Sequence, residues 1–127
     1  MPGLRDHDRP ADGLFAVCTD KDIAAIRRAG TEITVSAGTV IHARGQRAKW
    51  AYVILDGVAL ASDGTVERRL VAGDVHGERA LLACRKSCDE LVADSDVRLL
   101  VIDRAHFTAL MGSRAAFAHG IARQLAS

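Results

Sequence analysis

Gly77 and Glu78 sit inside a heptad, His76-Gly77-Glu78-Arg79-Ala80-Leu81-Leu82, that combines a turn, a free carboxylate and an apolar helical start. Ala72-Gly73-Asp74 precedes it. Gly73 and Gly77 can take backbone angles that a β-carbon penalises, and they let a ligand approach the main chain closely. A helix opening near Gly77 would aim unpaired N–H groups outward, which is how proteins hold phosphate. Glu78 beside that opening could accept hydrogen bonds from a pair of hydroxyls. The pattern suggests a cradle for a sugar phosphate, backed by Ala80, Leu81 and Leu82 as a short buried helical turn.

Other chemistry-bearing residues carry weaker signals. Cys84 and Cys88 near His76 suggest a metal site, yet zinc usually takes four ligands arranged in short pairs. Arg85 and Lys86 could lower a thiol pKa for redox work, but inert cysteines are the default. No motif joins a nucleophile to a base and an orienting group, so catalysis is not expected. His106 and His119 fall on helices as surface residues. Arg44, Arg47 and Lys49 beside Trp50 would suit an acidic partner or nucleic acid, although a solvated loop is the plainer reading.

These residues need a scaffold, and 127 residues suffice for one domain with a proper core. Apolar residues make up 49% and the net charge is +1, so the chain has no global signature for nucleic acid or an anionic membrane. No apolar run reaches the roughly 20 residues that span a bilayer. The polar N-terminus lacks the apolar centre of a secretion signal, and residues 1–13 read as a flexible tail before a domain over 14–127. Three unevenly spaced cysteines, Cys18, Cys84 and Cys88, argue against a secreted disulfide framework and for a reducing cytoplasm.

Thr19-Asp20-Lys21-Asp22 resembles a capping box, Ile23 and Ile26 form an apolar stripe, and Gly30 is a suitable stop, predicting a helix over 20–29. Strands follow at 32–35 and 39–42, around a Ser36-Ala37-Gly38 turn. Residues 44–49 read as a loop, and strands return at 50–55, 58–61 and 65–71. Asp56-Gly57 and Asp63-Gly64 carry the type I′ hairpin signal, which implies a compact antiparallel sheet. Residues 89–93 and 97–102 add two strands. Asp103 then caps a helix with Phe107, Leu110 and Met111 on one face, and Gly112-Ser113 leads to another with Phe117, Ile121 and Leu125. The whole is mainly β with flanking helices: an antiparallel, jelly-roll-like β-roll.

The order of these pieces resembles the cyclic nucleotide-binding domain family over about residues 14–125. The resemblance rests on Ala37-Gly38-Thr39-Val40-Ile41, Val53-Ile54-Leu55-Asp56-Gly57-Val58, Ala72-Gly73-Asp74 with Gly77-Glu78, and Leu99-Leu100-Val101-Ile102-Asp103. It implies a phosphate-binding cassette, with Gly77 and Glu78 matching the family's leading Gly-Glu pair and Glu78 meeting the ribose 2′-hydroxyl. Ala80-Leu81-Leu82 match the continuation of that cassette. Where the family places an arginine for the phosphate, this chain has Ser87, within Cys84-Arg85-Lys86-Ser87-Cys88-Asp89.

A guanidinium makes two charge-assisted bonds to phosphate, and such bonds contribute about 1.5–3 kcal/mol each. Losing that fork weakens binding by roughly one to two decades. Arg79, Arg85 and Lys86 are the alternative phosphate partners, whereas Asp89 works against an anion. His76 stands where the family usually has an aromatic. No recognition helix follows, so direct sequence-specific DNA binding is not expected. The ligand-binding set implied is Gly77, Glu78, Arg79, Ala80, Arg85, Lys86, Ser87 and Cys88, with cyclic AMP or cyclic GMP as the candidate ligand and no cofactor or metal. The expected role is a stand-alone sensor that signals to a partner protein, with homodimerisation open. The alternative is a degenerate, ligand-free roll that acts as a protein-interaction module.

Overall fold

The computed structural model describes residues 13–83, 86 and 88–125. A single 3₁₀ turn, Leu14–Val17, leads into helix α1 (Asp20–Ala29). Eight strands follow: β1 (Thr31–Val35), β2 (Val40–His42), β3 (Trp50–Asp56), β4 (Ala59–Ser62), β5 (Glu67–Leu70), β6 (Val75–His76), β7 (Glu90–Ala93) and β8 (Val97–Asp103). Helix α2 (Glu78–Ala83) stands between β6 and β7, and α3 (Arg104–Ser113) and α4 (Ala115–Leu125) close the domain. The strands form two four-stranded antiparallel sheets, ordered β1-β8-β3-β6 and β2-β7-β4-β5. This is the expected β-roll.

The reason β3 reads as an almost unbroken apolar run is that its sheet is covered on both faces. Ala51, Val53 and Leu55 pack with Leu100, Ile102 and the helical residues Phe15, Ile23, Phe107 and Phe117. The alternate residues Tyr52 and Ile54 face the second sheet, against Ala59, Ala61, Leu70 and Leu91. Strands β4 and β7 instead alternate buried and half-buried residues, as expected for a sheet with one face toward solvent. Phe107 and Phe117 meet edge to face with ring centres 5.3 Å apart, locking α3 onto α4.

Local signals account for the helix ends. Asp22 N–H donates to the Thr19 hydroxyl at 3.2 Å, and Thr19 N–H donates to the Asp22 carboxylate at 2.9 Å, completing the capping box. Asp103 caps α3 by accepting from His106 N–H at 2.8 Å. Gly30 does end α1, though its backbone is extended rather than left-handed. A β-carbon there would sit 2.9 Å from Ile102 Cγ1, so close packing against β8 explains the glycine.

The two Asp-Gly turns differ from expectation. Asp56-Gly57 is not a hairpin, because β3 pairs with β6 and β8 while β4 pairs with β5 and β7. With both edges of β3 occupied, the chain crosses to the other sheet. Gly57 takes φ +91°, and a β-carbon there would collide with the Asp96 carbonyl. Asp63-Gly64 does join a hairpin, β4–β5, but the turn is centred one residue later. Asp63 is its first residue, and its carboxylate accepts from Thr65 and Val66 N–H at 2.8 and 2.7 Å. Strand β6 and the 3₁₀ turn leave no mark in the sequence pattern, since two and four residues are too few to show a period. Leu82, expected in a buried turn, is 43% exposed.

Candidate functional site

The end of β6 is held against β3 by pairing of His76 with Tyr52 and Val75 with Val53. The chain then turns sharply at Gly77, whose φ is +90°. A β-carbon there would stand 3.1 Å from the Trp50 carbonyl, so conformation and space both call for glycine. Helix α2 starts at once, with Leu81 N–H donating to the Gly77 carbonyl at 2.9 Å. Ala80 and Leu81 are buried and anchor it. Glu78 is thereby placed facing inward at the head of the helix.

A cleft of about 280 Å³ opens beside this segment. Gly77, Glu78, Arg79, Ala80, Lys86 and Cys88 all line it, joined by Asp63, Arg68, His76 and Asp89. Arg85 and Ser87, and with them Cys84, lie outside the described residues. A larger cleft of about 370 Å³ lies between β5 and α4, but it lacks a buried, unpartnered acid among the described residues. The smaller cleft is the candidate.

Glu78 is 8% exposed, and its Oε2 has no hydrogen-bond partner among the described residues. Burial pushes its carboxyl pKa up, while Arg68 and Arg79 pull it back. An unpartnered carboxyl oxygen can accept from a hydroxyl donor. His76 is buried, with Nε2 3.2 Å from Asp89 Oδ1. Burial takes its pKa down to about 4 against the opposing pull of Asp89, with His42 and Arg68 adding to the fall. His76 is therefore neutral at pH 7, and Nε2–H donates to the carboxylate as a hydrogen bond rather than as an ion pair. Its Nδ1 is buried and unpartnered among the described residues, as is His42 Nε2.

Behind the cleft, His76 stacks on Tyr52 with ring centres 6.4 Å apart and planes 24° apart. His42 Nδ1 lies 3.2 Å from the Tyr52 hydroxyl. His76 thus does part of an aromatic's work in its position. Sequence reading missed His42, Tyr52 and Arg68. The available signal was a polar residue at an inward strand position, and it becomes visible only once register is known.

The cationic residues differ in their commitments. The Arg79 guanidinium donates to the Leu125 carbonyl at the end of α4. Lys86 is exposed and joins Arg47 in an isolated backbone bridge. Cys88 is exposed and free, and among the described residues no group of three or more His, Cys, Asp or Glu could hold a metal ion. No described helix is long and apolar enough to cross a membrane.

The domain is thus a two-sheet antiparallel roll with a Gly-Glu-headed helix beside a polar cleft. The sequence matches the cyclic nucleotide-binding domain family over residues 32–114, and the chain belongs to that family. Membership implies a ligand-sensing regulatory role. Among solved structures, the roll is similar to a protein described under a cyclic-GMP-dependent signalling pathway that regulates bacterial phytopathogenesis, with TM-score 0.76 and 22% identity, over 86% of this chain and 92% of that one. It is also similar to the catabolite activator protein of Thermus thermophilus, with TM-score 0.76, 24% identity and coverage of 89% and 56%. A third is the regulatory subunit of a cAMP-independent protein kinase A from Trypanosoma brucei, with TM-score 0.73, 20% identity and coverage of 90% and 43%. At these identities the likeness shows the fold alone, and the chain spans only about half the length of the latter two. No curated protein matches the sequence.

Proposed function

We propose that this domain senses a cyclic nucleotide or a related phosphorylated ligand at the Gly77–Glu78 cleft and passes its state to a partner protein. The observation that carries the reading is the buried Glu78 Oε2, unpartnered among the described residues, at a cleft that Arg68, Arg79 and Lys86 also line. A sugar hydroxyl would satisfy the acid, and an anionic group would meet the cations. The domain is assigned no chemistry of its own.

Two contacts offer a route for the signal. Gln124 of α4 accepts from Val75 N–H at 3.1 Å and donates to the Gly73 carbonyl at 3.2 Å, just before the cassette. Arg79, within the cassette, donates to the carbonyl of the adjacent Leu125. A ligand that engages Glu78 or Arg79 shifts the balance between arrangements of α2 and α4 by its differential affinity for them.

Isothermal titration with cyclic AMP and cyclic GMP tests the reading. Binding in the micromolar range, lost by at least tenfold in Glu78→Ala, is the expected result. Absence of heat and of chemical-shift change at millimolar ligand would sink it. The ligand-free interaction module is the second reading, favoured by the Asp63 and Asp89 carboxylates at the cleft and by the prior engagement of Arg79 with α4. It predicts a partner bound equally well with or without nucleotide and little change on Glu78→Ala.

A further inference from the structure

Arg68 breaks the pattern of its own strand. In the β4–β5 ladder Ala59 pairs with Leu70 and Ala61 with Arg68. Ala59, Ala61 and Leu70 are all buried in the core between the sheets. Residues two apart on a strand share a face, so Arg68 lies on the inner face beside Leu70, where the alternation calls for an apolar residue. Its partner across the ladder is only an alanine, which leaves room for a long side chain.

That side chain lines the same cleft as Glu78, Arg79 and Ala80 of α2. Its charge is felt by both Glu78 and His76. Arg68 makes no hydrogen bond or ion pair with any described residue. The carboxylates nearby are occupied: Asp63 Oδ1 by two backbone N–H groups, and Asp89 Oδ1 by His76. Arg79 is tied to α4, and Lys86 offers a point charge rather than a fork. Among the described residues that line the cleft, Arg68 is therefore the guanidinium with no hydrogen bond or ion pair, in the same cleft as Glu78, whose Oε2 has no partner among those residues.

We propose that Arg68 is the residue that pairs with the anionic phosphate of the ligand whose hydroxyls Glu78 accepts. The assignment rests on the ligand reading above. It places the phosphate contact on the β5 edge strand, in the cleft that the cassette helix also lines.

An inward-pointing charge on an edge strand can also serve simply to prevent edge-to-edge association, so the test must separate the two roles. Arg69 supplies the control: it is the next residue on the same strand, carries the same charge and lines the cleft toward α4, which Arg68 also borders, but not the Glu78 cleft. Cyclic AMP and cyclic GMP are titrated into wild type, Arg68→Ala, Arg68→Lys and Arg69→Ala, each checked for monomer content and thermal stability. Arg68→Ala should weaken binding by roughly 10- to 100-fold, with partial recovery in Arg68→Lys, which keeps the charge and loses the fork. Arg69→Ala should stay within about twofold, because Arg69 does not line the Glu78 cleft and acts on it only through salt-screened solvent. If Arg68→Ala does not fold, Arg68→Gln keeps most of the stem and is expected to show the same loss. Equal, small effects of the Arg68 and Arg69 variants on a nucleotide that wild type binds overturn the assignment and leave the ligand reading standing. Aggregation of Arg68→Ala with unchanged affinity in its monomeric fraction also overturns it. No binding by wild type removes both.

Discussion

Glu78 and His76 stand two residues apart, both buried, and burial drives them in opposite directions: the acid's pKa up, the imidazole's down to about 4. Their signs in stability follow from linkage. Between pH 6.5 and about 4 the unfolded chain binds a proton at His76 that the folded chain refuses, so stability falls as pH drops through that window. The full shift corresponds to about 3 kcal/mol. Glu78 acts the other way, its ionisation costing stability as pH rises through its elevated pKa. Asp22 and Asp103, held low chiefly by the backbone N–H groups of Thr19 and His106, lose their contribution only at more acid pH. Chemical denaturation across pH 4–7 should show a downward slope toward acid in wild type that is largely flattened in His76→Phe. An unchanged slope would refute the assignment. Glu78 was legible in the sequence because its glycine neighbour marks it. Arg68 and His42 were not, because strand register places Arg68 at the cleft and His42 behind it, and no neighbouring residue encodes register.

Elements show the same division. Helix α1 was readable to the residue because its cap and stripe lie within one short segment. Asp56-Gly57 has the composition of a hairpin turn and yet connects two sheets, because turn chemistry does not record which strand edges are already occupied. Replacing Gly57 by Ala should cost about 3 kcal/mol or more, from a strained positive φ together with collision with the Asp96 carbonyl. Gly38→Ala is the internal comparison. Gly38 has φ +89° but no atom within 4 Å of the place an added methyl would take, so its cost should be about 1 kcal/mol from strain alone. Urea unfolding of the two variants measures the difference, and equal costs would show that the close approach at Gly57 is unimportant.

At the scale of the whole molecule, the cleft is joined to α4 on both sides of Gly77, through Gln124 and through Arg79. Under the sensing reading, ligand should change hydrogen-exchange protection in α4 as well as in α2. Gln124→Ala should reduce the α4 response at least twofold while leaving affinity within about fivefold. An α4 response that persists in full would place the coupling elsewhere. Helix caps, the alternation of apolar residues and the helix start after Gly77 were legible in the chain alone, because each depends on residues a few positions apart, and the order of the elements pointed to the roll. Sheet pairing, the sheet-to-sheet crossing at Gly57 and the meeting of Arg68 and Glu78 in one cleft were decided by tertiary structure. Those arrangements depend on which faces the two sheets and the helices can bury together, and that competition is settled only when the whole chain packs.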